Sequence, residues 1–292
     1  MCAGISPSRI DPGRVDGRAD LGFARSDGKS RLVHLHQHEP LRVLFPTAAA
    51  GDAPLAALVT TSGGLVGGDS LDISVAVGTG AAATVTAQAA EKVYRSDGPD
   101  CTIRVELSVD DGGWLEWLPQ ETILFEGARL RRETIVDVTS SARLMAGEML
   151  VFGRTASGER LTRGLVRDAW EVRRAGRLVW ADALHMDGDL ATTLADPACF
   201  DGAVSCATLI YSGPDAGEWV GFARELIDAA DAPPGAQEDW PRVAATCVCG
   251  LLLVRWVGRD AQKLRASYGR FWAAFRHRIG GLNRGLPRLW HV

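Results

Sequence analysis

Ser62-Gly63-Gly64-Leu65-Val66-Gly67-Gly68-Asp69-Ser70-Leu71-Asp72-Ile73-Ser74-Val75-Ala76-Val77 is the stretch on which the fold turns. Glycines fill positions 63, 64, 67 and 68, which calls for left-handed dihedrals or for close approach of another part of the chain. Behind Asp69, the apolar residues Leu71, Ile73, Val75 and Val77 recur at every second position, the pattern of a strand with one buried face. A strand therefore follows the glycines, not a helix. Their spacing also departs from G-x-G-x-x-G, so a phosphate-binding loop is not indicated.

The same period of two continues on both sides. Upstream, strands begin near Arg31, where Val33 and Leu35 alternate with His34, His36 and His38; Pro40 and Pro46 then bracket a short strand from Leu41 to Phe45, and Leu55 to Thr60 leads into the glycine turn. Downstream come Ala82 to Ala89, Thr102 to Val109, and Leu115 with Trp117 up to the stop at Pro119. Ile123 to Phe125, Arg129 to Val138 and Arg143 to Phe152 follow, then a hairpin of Arg163 to Arg173 with Arg177 to Met186 across Ala175-Gly176. Strands this closely spaced make a mainly β protein. Periodicity alone allows a sandwich, a barrel or a stacked solenoid, and no exact internal repeat chooses among them.

Two helices are expected towards the C-terminus. Trp219 to Ala230 carries Trp219, Phe222, Leu226 and Ala230 at helical spacing and stops at Pro233-Pro234-Gly235. Asp260 to Ile279 carries an apolar stripe of Leu264, Tyr268, Phe271, Trp272, Phe275 and Ile279, ended by Gly280-Gly281. Between them, Val243 to Val257 reads as one buried strand. Residues 1–20, rich in Gly, Pro, Arg and Asp, read as a disordered extension, and 21–292 as a single β-rich domain.

The 292 residues are 46% hydrophobic and 23% charged, enough apolar content for a sizeable core. The net charge of −4 is uneven: nine Lys or Arg and one acid, Asp260, lie from Arg255 onward. That asymmetry suggests an acidic partner for the basic C-terminal helix and tail. The acidic balance of the whole and the lack of a recognition motif argue against nucleic acid. Six cysteines form no C-x-x-C pair and read as buried structural thiols, with Cys247 and Cys249 sharing one strand face. No charged segment precedes an apolar one at the start, and the longest apolar run is too short for a bilayer, so a reducing cytoplasm is expected.

Several blocks, in order along nearly the whole chain, carry a resemblance. They are Gly63-Gly64-Leu65-Val66-Gly67-Gly68-Asp69, Lys92-Val93-Tyr94-Arg95-Ser96 and Leu115-Glu116-Trp117-Leu118-Pro119-Gln120-Glu121-Thr122, with His38-Glu39-Pro40-Leu41-Arg42-Val43 ahead of them. Gly153-Arg154 with Gly158-Glu159, and Leu286-Pro287-Arg288-Leu289-Trp290, complete the set. Together they resemble the UreD (UreH) family of urease accessory proteins. The family pattern has His-Pro-Pro before the first glycines, where this chain has Thr60-Thr61-Ser62. The resemblance implies a helix-like winding of β-sheets with two helices. It implies a maturation factor, not an enzyme, that binds apo-urease and recruits UreF, through which the GTPase UreG delivers nickel to a di-nickel site on a carbamylated lysine. Nucleotide binding would belong to UreG, since this chain has no P-loop.

Chemistry would then rest on carboxylates in glycine-marked or apolar surroundings: Asp69, Glu91, Glu121, Glu148, Glu159 and Asp182. An acid buried on a strand is costly unless it is paired or binds a cation. The structural reading of each is a salt bridge to an arginine such as Arg95, Arg143 or Arg154; the functional reading is a path lined with weak oxygen ligands suited to nickel in transit. His38, with His34 and His36 on the same strand face, is a further metal candidate. Two other readings of the residues stand beside this one: a carboxylate-dependent hydrolase with two acids flanking a cleft, and a β-rich interaction protein with no metal role.

Overall fold

The computed structural model describes residues 14–229 and 239–291. Its strands are β1 (Asp16–Ser26), β2 (Lys29–His38), β3 (Leu41–Leu44), β4 (Leu55–Thr60), β5 (Ser70–Val77), β6 (Ala82–Ala87), β7 (Glu91–Val93), β8 (Cys101–Val109), β9 (Trp114–Leu118), β10 (Thr122–Leu124), β11 (Arg129–Val138) and β12 (Arg143–Phe152). Then come β13 (Arg163–Arg174), β14 (Arg177–Asp189), helix α1 (Leu190–Ala195), β15 (Ser205–Ser212), α2 (Val220–Ala229), β16 (Arg242–Val248), β17 (Leu251–Gly258) and α3 (Ala261–Gly280).

The chain winds between two sheets. One sheet has the order β14-β13-β11-β8-β5-β1-β2; the other runs β16-β17-β15-β12-β9-β6-β4-β3, with β10 bridging β12 and β7. From β4 the chain crosses to β5, back to β6, over to β8, back to β9, over to β11, back to β12 and over to β13. Each return lands one strand further along, so β1, β5, β8, β11 and β13 are parallel in one sheet and β4, β6, β9 and β12 in the other. This is the helix-like winding that the resemblance implies and that periodicity alone left open, and the coils share a geometry without sharing a repeat.

Two cores result. Between the sheets lie Leu21, Phe23, Leu71, Val75, Val105, Leu107, Leu130, Val136 and their neighbours. The second core lies between the ten-stranded sheet and helices α2 and α3, around Trp256, Tyr268, Trp272 and Phe275. β8 faces one core and water, so it alternates buried and exposed; β9 is covered on both faces and is buried at all positions. The stripe expected on α3 is buried as a unit, its N-terminus capped by Asp260 and its end by Gly281 in the left-handed region.

The structure departs from the sequence reading in several places. β1 begins at Asp16, so the expected extension through residue 20 is too long, and strands start well before Arg31. Its alternation of Gly17, Ala19, Leu21 and Phe23 is masked by small and charged residues, and only pairing with β5 reveals the buried face. Residues 1–13 lie outside the described residues, as do Ala230 and Pro233-Pro234-Gly235. The single strand expected over 243–257 is a hairpin, β16 and β17, folded across Cys249 (φ 47°) and Gly250 (φ 77°), the two left-handed positions of a tight hairpin turn. Cys249 therefore sits in the turn and does not share a strand face with Cys247. Among the described residues, Cys199, Cys247 and Cys249 are exposed, Cys206 is half-buried and only Cys101 is fully buried, against the expectation of buried thiols. The short α1 and strand β15 were not anticipated.

The basic C-terminal helix is not an open cationic face. Lys263 pairs with Asp239, Arg265 with Glu121 and Arg276 with Glu116; Arg270 lies over the Trp240 ring and Arg278 over Trp219. These cations hold the helix and its surroundings together.

Candidate functional site

The glycine turn and β7 form the open end of a cavity of about 260 Å³ between the two sheets. Gly63 and Lys92 stand at its exposed end, with half-buried Glu91 beside them. Leu71, Ile73, Ile103 and Val105 wall it from the seven-stranded sheet; Leu58, Ala87 and Trp117 wall it from the other; Gln120, Thr122, Arg132 and Glu148 complete the lining.

The turn adopts the conformation its glycines permit. Gly63, Gly64 and Gly68 have φ of 77°, 138° and 93°. A side chain at Gly67 would meet Ser96 Oγ at 2.0 Å and Pro99 O at 2.6 Å, so glycine there answers to close approach. Asp69 fastens the turn: its carboxylate accepts from Val66 N at 2.8 Å and Val15 N at 3.0 Å, and it is 3% exposed. Asp69→Ala leaves two donors without that acceptor and is expected to lower stability by about 1–3 kcal/mol in urea denaturation; a change within a few tenths of a kcal/mol would show that the turn holds without it.

Deeper in, β11 sends Arg132 across the interlayer. Its guanidinium grips Asp168 of neighbouring β13 with two bonds of 2.8 and 2.9 Å, donates to Thr122 Oγ1 at 3.0 Å, and reaches Glu148 of β12 at 2.6 Å. Trp117 Nε1 donates to the other Glu148 oxygen at 3.0 Å. Arg132 is 3% and Glu148 4% exposed. Burial pushes the Glu148 carboxyl up to about 7 against the pull of Arg132, and the nearby Asp168 charge adds to the rise. Glu91, placed opposite Thr122 by the β7–β10 pairing, accepts from Thr60 Oγ1 at 2.5 Å. Burial raises its carboxyl as well, ahead of the lowering by Thr60. Thr60 is one of the residues standing where the family pattern has His-Pro-Pro.

The cavity thus brings together two of the six acids, Glu91 and Glu148. Glu121 pairs with Arg265 on a shallower groove at the start of α3, and Asp182 pairs with Arg255. Glu159 accepts from the backbone N–H of Glu126 and from Arg154, which hold its carboxyl below the usual range. Arg154 was one of the arginines expected to pair; Arg132, Arg255 and Arg265 were not. The three histidines of β2 do share the outward face of the seven-stranded sheet, opposite Gly22, Asp20 and Arg18, and His38 Nδ1 lies 2.8 Å from Asp16 O. Among the described residues, no three His, Cys, Asp or Glu side chains come together as a metal-holding group.

Sequence reasoning missed two polar residues of consequence, Glu116 and Arg132. Glu116 sits in a strand-like block on the face opposite Leu115 and Trp117, where alternation gives no sign of burial. Arg132 stood in the run Arg129-Leu130-Arg131-Arg132, which is charged on both faces and hides the one cation that points inward. No helix among the described residues is long and apolar enough to cross a membrane.

Comparison with known proteins agrees with this architecture. The family model described as UreD urease accessory protein matches residues 15–291. A urease accessory protein UreD of Magnetococcus marinus is 46% identical over 291 residues, covering 99% of each chain. A urease accessory protein UreD 2 of Methylorubrum populi is 41% identical over 281 residues, covering 95% of this chain and 90% of that one. Together with the wound pair of sheets and the glycine turn that opens onto their interlayer, these matches show that the chain belongs to the UreD family of urease accessory proteins.

Proposed function

We propose that this protein acts in urease maturation as a scaffold that binds apo-urease, recruits UreF and through it the GTPase UreG, and gives nickel a route towards the urease active site. The family is one of accessory proteins, which makes the chain a maturation factor, not a catalyst. The observation that carries the nickel route is the interlayer cavity, with Glu91 near its open end and Glu148 at its buried end. A lone carboxylate at each end, backed by hydroxyls, offers weak oxygen ligation, and weak ligation lets a cation move on. The hydrolase reading loses ground on the same geometry: Glu148 is held by Trp117 and Arg132 and Glu91 by Thr60, and the two acids stand at opposite ends of the cavity instead of facing each other across a cleft. Of the sequence candidates, Glu91 and Glu148 lie on this route. Asp69 shapes its entrance, while Glu121, Glu159, Asp182 and His38 would act outside the cavity. We place the protein in the cytoplasm, where urease and its partners would meet it.

Co-purification tests the scaffold. The tagged chain, expressed beside apo-urease and UreF, is expected to retain both, and UreG only when UreF is present. Folded protein that retains neither partner would leave the scaffold reading without support and favour an interaction role elsewhere.

A further inference from the structure

β2 ends the seven-stranded sheet: β1 pairs with one of its edges, and no strand among the described residues pairs with the other. Such an edge offers backbone N–H and C=O groups to any extended segment that reaches it. β2 is held to the other sheet near both of its ends. Ser30 Oγ accepts from Ala82 N at 2.8 Å, and Gln37 Oε1 accepts from Val43 N at 2.8 Å. Between these anchors its apolar side chains stand in water. Val33, which a register shift leaves without a partner on β1, is 62% exposed, and Leu35 is 38% exposed. β3 packs beside β2 and leads through exposed Leu44 into exposed Phe45. These four are the majority of the seven large hydrophobic residues exposed among the described residues, a concentration that marks a contact surface.

Charge says what the surface takes. β2 contains no acid, and its register sets Arg31, His34, His36 and His38 opposite Ala24, Gly22, Asp20 and Arg18 on the outward face. His38 is held by Asp16 O, and Asp20 by Arg18 at 2.8 Å. Arg31, His34 and His36 make no side-chain hydrogen bond or ion pair among the described residues. A second β2 would set basic side chains against basic side chains, so charge disfavours another copy of this chain as the occupant.

We propose that the free edge of β2 receives an extended segment of a partner protein as an eighth strand, and that acidic residues alternate with apolar ones along that segment. Side chains of a strand take opposite faces in turn. The acids would therefore meet Arg31, His34 and His36, while the apolar residues cover Val33 and Leu35; backbone bonds supply affinity and the alternation supplies selectivity. The inference adds a surface to the scaffold reading and needs from it only that a protein partner exists. It is independent of the nickel route.

The probe is a fluorescein-labelled peptide of alternating Glu and Val, as long as β2, with a Lys and Val peptide as control. Fluorescence anisotropy with the full chain is expected to show the acidic peptide binding at least roughly tenfold more tightly than the basic one, and that preference is expected to reverse in Arg31→Glu/His36→Glu. Val33→Ser/Leu35→Ser is expected to weaken the acidic peptide roughly tenfold. Amides of residues 29–38 that exchange fast in the free chain should become protected by the acidic peptide, which association through charge alone cannot produce. No binding, equal binding of the two peptides, or protection confined to other strands would overturn the assignment. Slow exchange throughout β2 in the free chain would overturn the partner segment as occupant, in favour of a second copy if protection grows with protein concentration and of the chain itself if it does not. Peptide binding without recovery of apo-urease or UreF in the co-purification would support this surface and count against those partners; recovery of both without peptide binding would remove the surface alone.

Discussion

Replacing Glu116 by alanine is expected to cost about 3–5 kcal/mol of folding stability, the range for breaking one side of a buried ion pair. Glu116 is fully buried in β9 and accepts four bonds: from Arg276 Nε and Nη2 at 2.7 Å each, from Trp272 Nε1 at 2.9 Å and from Thr84 Oγ1 at 2.9 Å. Alanine leaves all of these donors facing a void. Arg276 is 1% exposed, and its Nη1 continues to Asp52 Oδ1 at 3.3 Å, Asn283 O at 2.9 Å and Gly285 O at 3.1 Å. The network therefore ties α3 to the ten-stranded sheet and the segment after α3 to both. Urea denaturation reads the loss directly. The double change Glu116→Leu with Arg276→Met should recover a large part of it, because an apolar pair of similar size avoids the uncompensated charge. A single-variant cost under about 1 kcal/mol would mean that water reaches the pair and that the carboxylate is not isolated.

The second large effect is on pH dependence through Glu148. Its carboxyl rises from an ordinary 4.5 to about 7 in the folded protein, chiefly through burial. Between those values the folded state keeps a proton that the unfolded chain releases. Stability is therefore expected to fall as pH rises from 4.5 to 7, by up to about 1.4 kcal/mol per pH unit, and to level off above 7. Glu148→Gln cannot ionise and should flatten that slope; denaturation midpoints across the range measure it, and an unchanged slope would assign the titration to another group. On the nickel route proposed above, the same proton would compete with the cation. Ni²⁺ retained by the wild type is expected to drop roughly tenfold for each pH unit below 7, because ligation requires the carboxylate. In Glu148→Gln that dependence should disappear together with most of the binding.

Both expectations draw on residues whose roles the linear chain disguised, each in a different way. Glu148 was visible, because a carboxylate in Leu144 to Phe152 has no solvent face to point to, and its burial could be read from its neighbours. Its partner could not, since Arg132 lies on the opposite sheet, amid residues as charged as itself. Glu116 was hidden because alternation in β9 predicts an exposed residue, and α3, more than a hundred residues later, covers that face instead. Gln120 differs again: its buried amide nitrogen donates to Leu289 O at 2.9 Å, a contact between positions 169 apart.

Local pattern alone determined a good deal about this protein. Period-2 alternation placed most strands within a residue or two, the apolar stripe and its caps placed α3, and four glycines placed a turn that proves to need left-handed dihedrals and close approach. These features depend on a residue and its near neighbours, so they are written in order along the chain. Tertiary structure decided the rest. Which sheet each strand joins, that the winding is parallel in both, that β1 has a buried face, and which acids meet at the cavity all depend on residues far apart in sequence. The charge pairing of α3 belongs there too: a run of cations without acids nearby looked free, and the fold supplies their partners from other elements. Burial is what separates the two cases, because a polar residue's role is set by what removes it from water, and no single strand or helix of this chain can do that alone.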